Sequence, residues 1–193
     1  GTTVNSGEKS VTFSLLSSPA SLDPATTTDG HSLMVETQLF SMLVESKGGT
    51  SNEIKPDIAE SWEISEDGLT YTFKLRDDVY FHNGKLLTAD DVVYTFNRVM
   101  TEPYTSYYAA PIKSVEATDE HTFVAHLNYP FADFLTLVGG IYFGICCEEA
   151  ITAGSDFMYK PVGTGPYKLE GGYIPGQAFK FVYNDQYYGA EPD

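Results

Sequence analysis

The chain has 193 residues, 42% hydrophobic and 14% aromatic, enough to bury a core in one ordinary domain or two small ones and too apolar for a disordered chain. Its 27 acidic residues against 11 basic ones leave a net charge of -16, which disfavours nucleic acid or an anionic membrane surface as a partner, because phosphates would be repelled. The longest apolar stretch, Phe134 to Cys147, is interrupted by Thr136 and three glycines and is too short to span a bilayer.

Gly1 to Ser10 is small and polar and reads as a linker that remains after a signal has been removed. Val11 to Leu16 predicts a first strand, mostly apolar and so interior to a sheet. Pro19 and Pro24 forbid helix through the loop Ser17 to Gly30. From His31 to Glu45 the spacing of Leu33, Phe40, Leu43 and Val44, with Val35, Leu39 and Met42 beside them, predicts a helix buried on more than one side. Lys47 to Asn52 is polar and Gly-rich, the first plausible crossing between lobes.

The stretch from Ala59 to Met100 organises the rest. Trp62-Glu63-Ile64 and the run Leu69 to Leu75 flank Ser65-Glu66-Asp67-Gly68, where Asp-Gly favours the positive-φ turn of a hairpin. Leu69, Tyr71, Phe73 and Leu75 alternate with Thr70, Thr72, Lys74 and Arg76, the pattern of a strand with one buried face. After a second turn at Asn83-Gly84, Thr88-Ala89-Asp90-Asp91 opens a helix, with two carboxylates where the dipole is positive. Val92, Val93, Phe96, Val99 and Met100 give that helix an apolar stripe for the sheet. Beyond it the sequence predicts a loop over Thr101 to Pro111 and a hairpin about Asp119-Glu120-His121. A short helix with Phe134, Leu135 and Val138 should stop at Gly139-Gly140, another lies within Glu148 to Met158, and the chain returns to a sheet through Tyr167-Lys168-Leu169 and Phe179, Phe181 and Tyr183. Cys146-Cys147, adjacent in sequence, cannot be a disulfide framework and are expected to be buried free thiols.

In that order, A-E-S-W, the acidic D-G turn, T-Y-T-F-K-L-R, F-H-N-G and L-T-A-D-D-V-V-Y-T resemble the signature of the extracellular solute-binding proteins of ABC importers, family 5 type, which include dipeptide, oligopeptide and nickel-chelate binders. Ser21-Leu22-Asp23-Pro24, Gly163-Thr164-Gly165-Pro166-Tyr167 and the N-x-x-Y-x-G-x-x-P run from Asn184 to Pro192 extend the resemblance. It implies a mixed α/β, periplasmic-binding-protein-like fold of class II, peptide-binding type, truncated to part of lobe I plus lobe II. Residues 1–46 would be the N-terminal part of lobe I, with 1–10 a linker, 47–160 the inserted lobe II, and 161–193 the truncated return into lobe I. The resemblance further implies a monomeric receptor, a cell-surface lipoprotein or free in a periplasm. Such a receptor closes over a small peptide and hands it to a membrane ABC permease, with no cofactor. Nickel-chelate, haem or oligosaccharide cargo, and a secreted structural or adhesive module, are the alternatives.

No catalytic group is expected. Asp77-Asp78, Asp90-Asp91 and Glu148-Glu149 are sequence neighbours that do not face each other across a substrate, and turn and cap roles account for them. The four histidines give no metal pattern: there is no H-E-x-x-H, and His121 and His126, five apart on a strand, point to opposite faces, while His82 reads as a solvated imidazole in a turn. Gly163-Thr164-Gly165-Pro166 lacks the lysine and the following helix of a phosphate loop, and no G-x-S-x-G occurs.

For binding, the resemblance points to the loop into the first helix, Thr28, Asp29, Gly30 and His31. Free N–H groups at a helix start and the bare backbone of Gly30 suit a ligand, while Asp29 or Ser32 acting only as a cap is the equal alternative. Pro103-Tyr104-Thr105-Ser106-Tyr107 resembles the lobe II loop of oligopeptide binders from which a tyrosine reaches the peptide, which selects Tyr104, then Tyr107 and Tyr108; ordinary packing is the alternative reading. The acidic anchor that the family carries in its third domain for a peptide's α-amine has no counterpart here, so weak ligand binding by this chain alone is expected.

Overall fold

The computed structural model describes residues 15–46, 53–154 and 156–190. Of the expected first strand, Val11 to Ser14 lie outside the described residues, and Leu15 and Leu16 are not in a strand. No helix among the described residues is long and apolar enough to cross a membrane.

The first helix is shorter than its apolar spacing predicts. α1 (Gly30–Leu39) ends where Phe40 turns extended, and the chain enters β1 (Val44–Ser46), which pairs antiparallel with β2 (Ile54–Pro56). The cause is that the run serves two cores. Leu39 and Phe40 pack in one, Leu43 and Val44 in the other, and a single helix face cannot reach both.

The Ala59 to Met100 stretch folds as its pattern predicts. β3 (Ala59–Ile64), β4 (Thr70–Leu75), β5 (Ile112–Asp119) and β6 (Thr122–Leu127) form an antiparallel sheet in the order β3-β4-β6-β5. Gly68, at φ 68°, closes the first hairpin by donating its N–H to Ser65 O at 2.9 Å. Tyr71, Phe73 and Leu75 are buried, and Phe73 stands opposite Phe123. α2 (Ala89–Thr101) lays Val92, Phe96 and Val99 against this face. The Phe96 ring lies 4.7 Å from that of Phe123 and 4.9 Å from that of Phe143, so Phe96→Ala would cost about 3–5 kcal/mol. At the start of α2 the Asp91 carboxylate accepts from Thr88 N–H at 3.2 Å and from Lys85 Nζ at 2.6 Å, which keeps a buried carboxylate paired.

The chain then runs through α3 (Phe134–Val138), a 3-10 turn at Ile141–Phe143, α4 (Glu148–Thr152) and the antiparallel ribbon of β7 (Tyr167–Glu170) and β8 (Lys180–Tyr183). The larger core gathers the sheet, α2 and Cys147. The smaller one holds Leu22, Val35, Leu39, Phe40, Cys146, Phe157 and Tyr173, with Leu15, Leu169, Phe179 and Phe181 packed against it. Residues far apart in sequence therefore share the smaller core. The two free cysteines are buried, and these adjacent side chains enter different cores because extended backbone sends neighbours to opposite sides.

Candidate functional site

The cores meet where the chain crosses between them, and close backbone approach holds that junction. Gly165 N–H donates to Leu39 O at 2.9 Å, and Ser41 N–H to Thr164 Oγ1 at 3.4 Å. A Cβ on Gly163 would stand 2.1 Å from Leu39 O, and one on Gly165 2.6 Å from Leu39 C, so only glycine fits at either position. His82 clasps the same segment. Its Nδ1 lies 3.4 Å from Gly163 N and its Nε2 3.1 Å from Gly165 O, which requires a neutral ring protonated on Nε2. The solvated imidazole expected from the sequence is thus corrected to a largely buried one. Its partners lie some eighty residues away, beyond the reach of any local pattern. Burial is the main force lowering its pKa to about 4; the Gly165 carbonyl opposes this and the Lys168 charge adds to it. Nearby, Tyr188 OH donates to Asp57 Oδ1 while Oδ2 accepts from Met42 N–H at 3.0 Å, and the Arg76 guanidinium lies 5.0 Å over the Tyr188 ring. Burial raises the Asp57 pKa, against these two hydrogen bonds.

On the other side of the junction the loop before α1 is tied to α2 and to the segment that follows it. Arg98 meets Asp23 with both terminal nitrogens, at 3.0 and 2.7 Å, and the two side chains are only 14% and 7% exposed. Thr105 Oγ1 donates to Ala25 O at 3.0 Å, and Leu22 N–H to Met158 O at 2.9 Å. Glu36, on α1, is fully buried with neither carboxyl oxygen partnered. Burial first, then the charges of Asp23 and Asp29, push its pKa up to about 9.

Asp29 is the cap of α1: Oδ1 accepts from His31 N–H at 3.2 Å and Ser32 N–H at 3.0 Å, and Oδ2 from the hydroxyls of Thr27 and Ser32. Burial alone would raise its pKa, but these hydrogen bonds outweigh it and bring the carboxyl down to about 2. Thr28 and Gly30 are exposed, and a Cβ on Gly30 would meet nothing within 4 Å. His31 Nδ1 lies 2.9 Å from Ser17 Oγ. Tyr104 and Tyr107 stand out at 63% and 65% exposure. Tyr107, Tyr108 and Tyr142 pack ring on ring, with centroids 3.9 and 4.1 Å apart.

The Thr105–Ala25 bond joins the loop of Tyr104 and Tyr107 to the one leading into Thr28, Asp29, Gly30 and His31. Among the described residues no hydrogen bond links Tyr104 to those four directly. The carboxylate of Asp29 is engaged in the cap, so its loop offers Thr28, Gly30 and backbone as its open surface. A separate open cavity of about 430 Å³ lies beside His82, Lys160 and Lys168, and none of the residues expected to bind ligand lines it. Among the described residues no group of three His, Cys, Asp or Glu side chains is placed to hold a metal ion. The roles of Asp23, Arg98, Glu36 and Tyr142 went unread in the sequence. For Asp23 a signal was present in Ser21-Leu22-Asp23-Pro24, but its partner was not.

The profile of "Bacterial extracellular solute-binding proteins, family 5 Middle" matches residues 53–193, more than half of the chain. Heme-binding protein A of Haemophilus influenzae is 35% identical over 95% of this chain, and the dipeptide-binding protein of Escherichia coli is 32% identical over 95%. Among solved structures, the ABC transporter-associated periplasmic binding protein DppA from Helicobacter pylori, in complex with peptide STSA, superposes with a TM-score of 0.80 at 33% identity over 91% of this chain. The chain spans 38% of the haem-binding relative, 39% of the dipeptide-binding relative and 39% of the Helicobacter structure. Its mixed α/β architecture is thus that of a periplasmic binding protein over well under half the length of such a molecule.

Proposed function

Because the chain belongs to the family 5 bacterial extracellular solute-binding proteins, we propose that it forms part of an extracytoplasmic receptor that captures a small peptide and delivers it to an ABC permease. In this reading residues 1–46 and 161–193 belong to lobe I and 47–160 to lobe II, and the receptor acts as a monomer on the outer side of the membrane.

The observation that carries the proposal is the bond from Thr105 Oγ1 to Ala25 O, which seats the tyrosine loop beside the loop that enters α1. Tyr104 and Tyr107 then present flat apolar faces with hydroxyls, and Thr28, Gly30 and the ring of His31 present polar groups and an open backbone on the adjoining segment. Such a surface holds a peptide through its main chain and tolerates varied side chains. Its work is binding and release, with closure of one lobe on the other supplying the signal that a permease reads.

The test is calorimetry and thermal unfolding of the intact receptor against short peptides, nickel–histidine, haemin and an oligosaccharide. Short peptides should raise the melting temperature, by the equivalent of about 2.7 kcal/mol at a hundredfold excess over Kd. A shift with haemin, nickel or sugar alone reassigns the cargo, and no shift with any of them favours a structural module. The 193-residue chain by itself should bind peptides weakly, since one wall of a cleft desolvates a ligand poorly; sub-micromolar affinity in that form counts against the lobe assignment.

A further inference from the structure

The turns after α2 do something that adjacent side chains ordinarily do not. Tyr107 and Tyr108 are neighbours in sequence, yet their ring centroids lie only 3.9 Å apart with the planes tilted by 35°, and Tyr108 stacks on Tyr142 at 4.1 Å and 19°. Tyr108 and Tyr142 pack against the larger core, so the inner end of this ladder is fixed, while its outer ring, Tyr107, is 65% exposed. Tyr142 sits in the 3-10 turn that touches both α1 and α2, which brings the ladder to the junction of the two cores. The backbone adds a further constraint. Tyr108 N–H donates to Thr105 O and Ala110 N–H to Tyr107 O, turns of the i to i+3 kind that fix the backbone on which Tyr107 and Tyr108 stand.

Resting on the reading of a peptide receptor, we infer that the open face of Tyr107 is a stacking subsite for a planar aromatic group, and that the receptor prefers peptides carrying an aromatic side chain over aliphatic ones. A ring already held by two others loses little freedom when a fourth joins it, and offset stacking prefers such separations. No Lys or Arg stands in the loop from Thr101 to Pro111, so no cation from within it competes for the face.

The experiment is calorimetric titration of the intact receptor with Ala-Trp, Ala-Leu and Ala-Arg, together with N-acetyltryptophanamide followed by NMR of the tyrosine rings. Ala-Trp should bind about three- to tenfold tighter than Ala-Leu. Tyr107→Ala should bring that ratio close to one, and Tyr107→Phe should retain it. Because Tyr107 is exposed, both variants should fold, and an unchanged melting temperature checks this. Equal affinities for Ala-Trp and Ala-Leu, a ratio insensitive to Tyr107→Ala, or tighter binding of Ala-Arg would each overturn the inference while leaving peptide capture standing. If no dipeptide binds but N-acetyltryptophanamide still shifts the Tyr107 ring, the stacking face stands and peptide capture falls. If neither binds, both fall.

Discussion

Arg98 of α2 and Asp23 of the loop before α1, 75 residues apart in sequence, meet in a two-pronged ion pair at 3.0 and 2.7 Å. Each end belongs to a different part of the chain, so the pair is a tether between the helix that packs on the sheet and the loop that enters the smaller core. Little water reaches either partner, and each would be costly to leave alone.

Arg98→Ala should therefore destabilise the protein by about 3–5 kcal/mol in urea unfolding, because Asp23 is left as a buried charge. Arg98→Lys should recover only part of this, since an ammonium cannot reproduce the fork. Removing both charges as Arg98→Met with Asp23→Asn should cost less than Arg98→Ala alone. A loss below about 1 kcal/mol for Arg98→Ala would show the pair to be ornamental.

Glu36 sets a different dependence on pH. Its carboxyl titrates near 4.5 when unfolded and about 9 when folded, so between those values the folded chain holds a proton that the unfolded chain has lost. Its stabilising proton is fully present below pH 4.5, and stability declines as pH rises towards 9, by up to about 1.4 kcal/mol per pH unit. Glu36→Gln should flatten that decline and leave the variant more stable than the parent at pH 8. Parallel unfolding curves for the two proteins across pH 5 to 9 would refute an ionisable, unpartnered Glu36.

His82 works in the opposite sense. Its folded pKa of about 4 lies below the ordinary 6.5, so the unfolded chain binds the extra proton between those values and stability falls as pH drops through that window. The imidazole resonances should stay those of the Nε2–H tautomer down to about pH 5. An imidazole that titrates near 6.5 in the folded protein would mean that the clasp on Gly163 and Gly165 does not persist in solution.

Gly163→Ala tests the junction itself. The added methyl would meet Leu39 O at 2.1 Å, and a backbone carbonyl does not move aside as a flexible side chain does. The expected result is a loss of several kcal/mol, roughly the upper range for point substitutions, or failure to fold. Hydrogen exchange should show the opening at Gly165 N–H and Ser41 N–H before it reaches the sheet.

The sheet and α2 were readable because their signals are local. The alternation from Leu69 to Leu75, the Asp-Gly and Asn-Gly turns, and the spacing of Val92, Phe96 and Val99 each specify an element within a few residues. The first helix was overextended because its apolar residues divide between two cores, a division that periodicity does not encode. At Asp29 the sequence leaves ligand contact and helix cap as equal choices, and the hydrogen bonds from His31 and Ser32 N–H make it the cap. The loop sequence points to Tyr104 and Tyr107, but the ring of Tyr142 stacked on Tyr108 comes from a distant turn and carries no local signal.

The residue order alone determined the antiparallel hairpins, the amphipathic helix, the buried thiols and the family, since these rest on neighbours along the chain. Only the tertiary structure decided that Arg98 would find Asp23, that His82 would close on Gly163 and Gly165, that Glu36 would be buried without a partner, and that Tyr142 would stack on Tyr108. These depend on which distant segments the two cores bring within a few ångströms of one another.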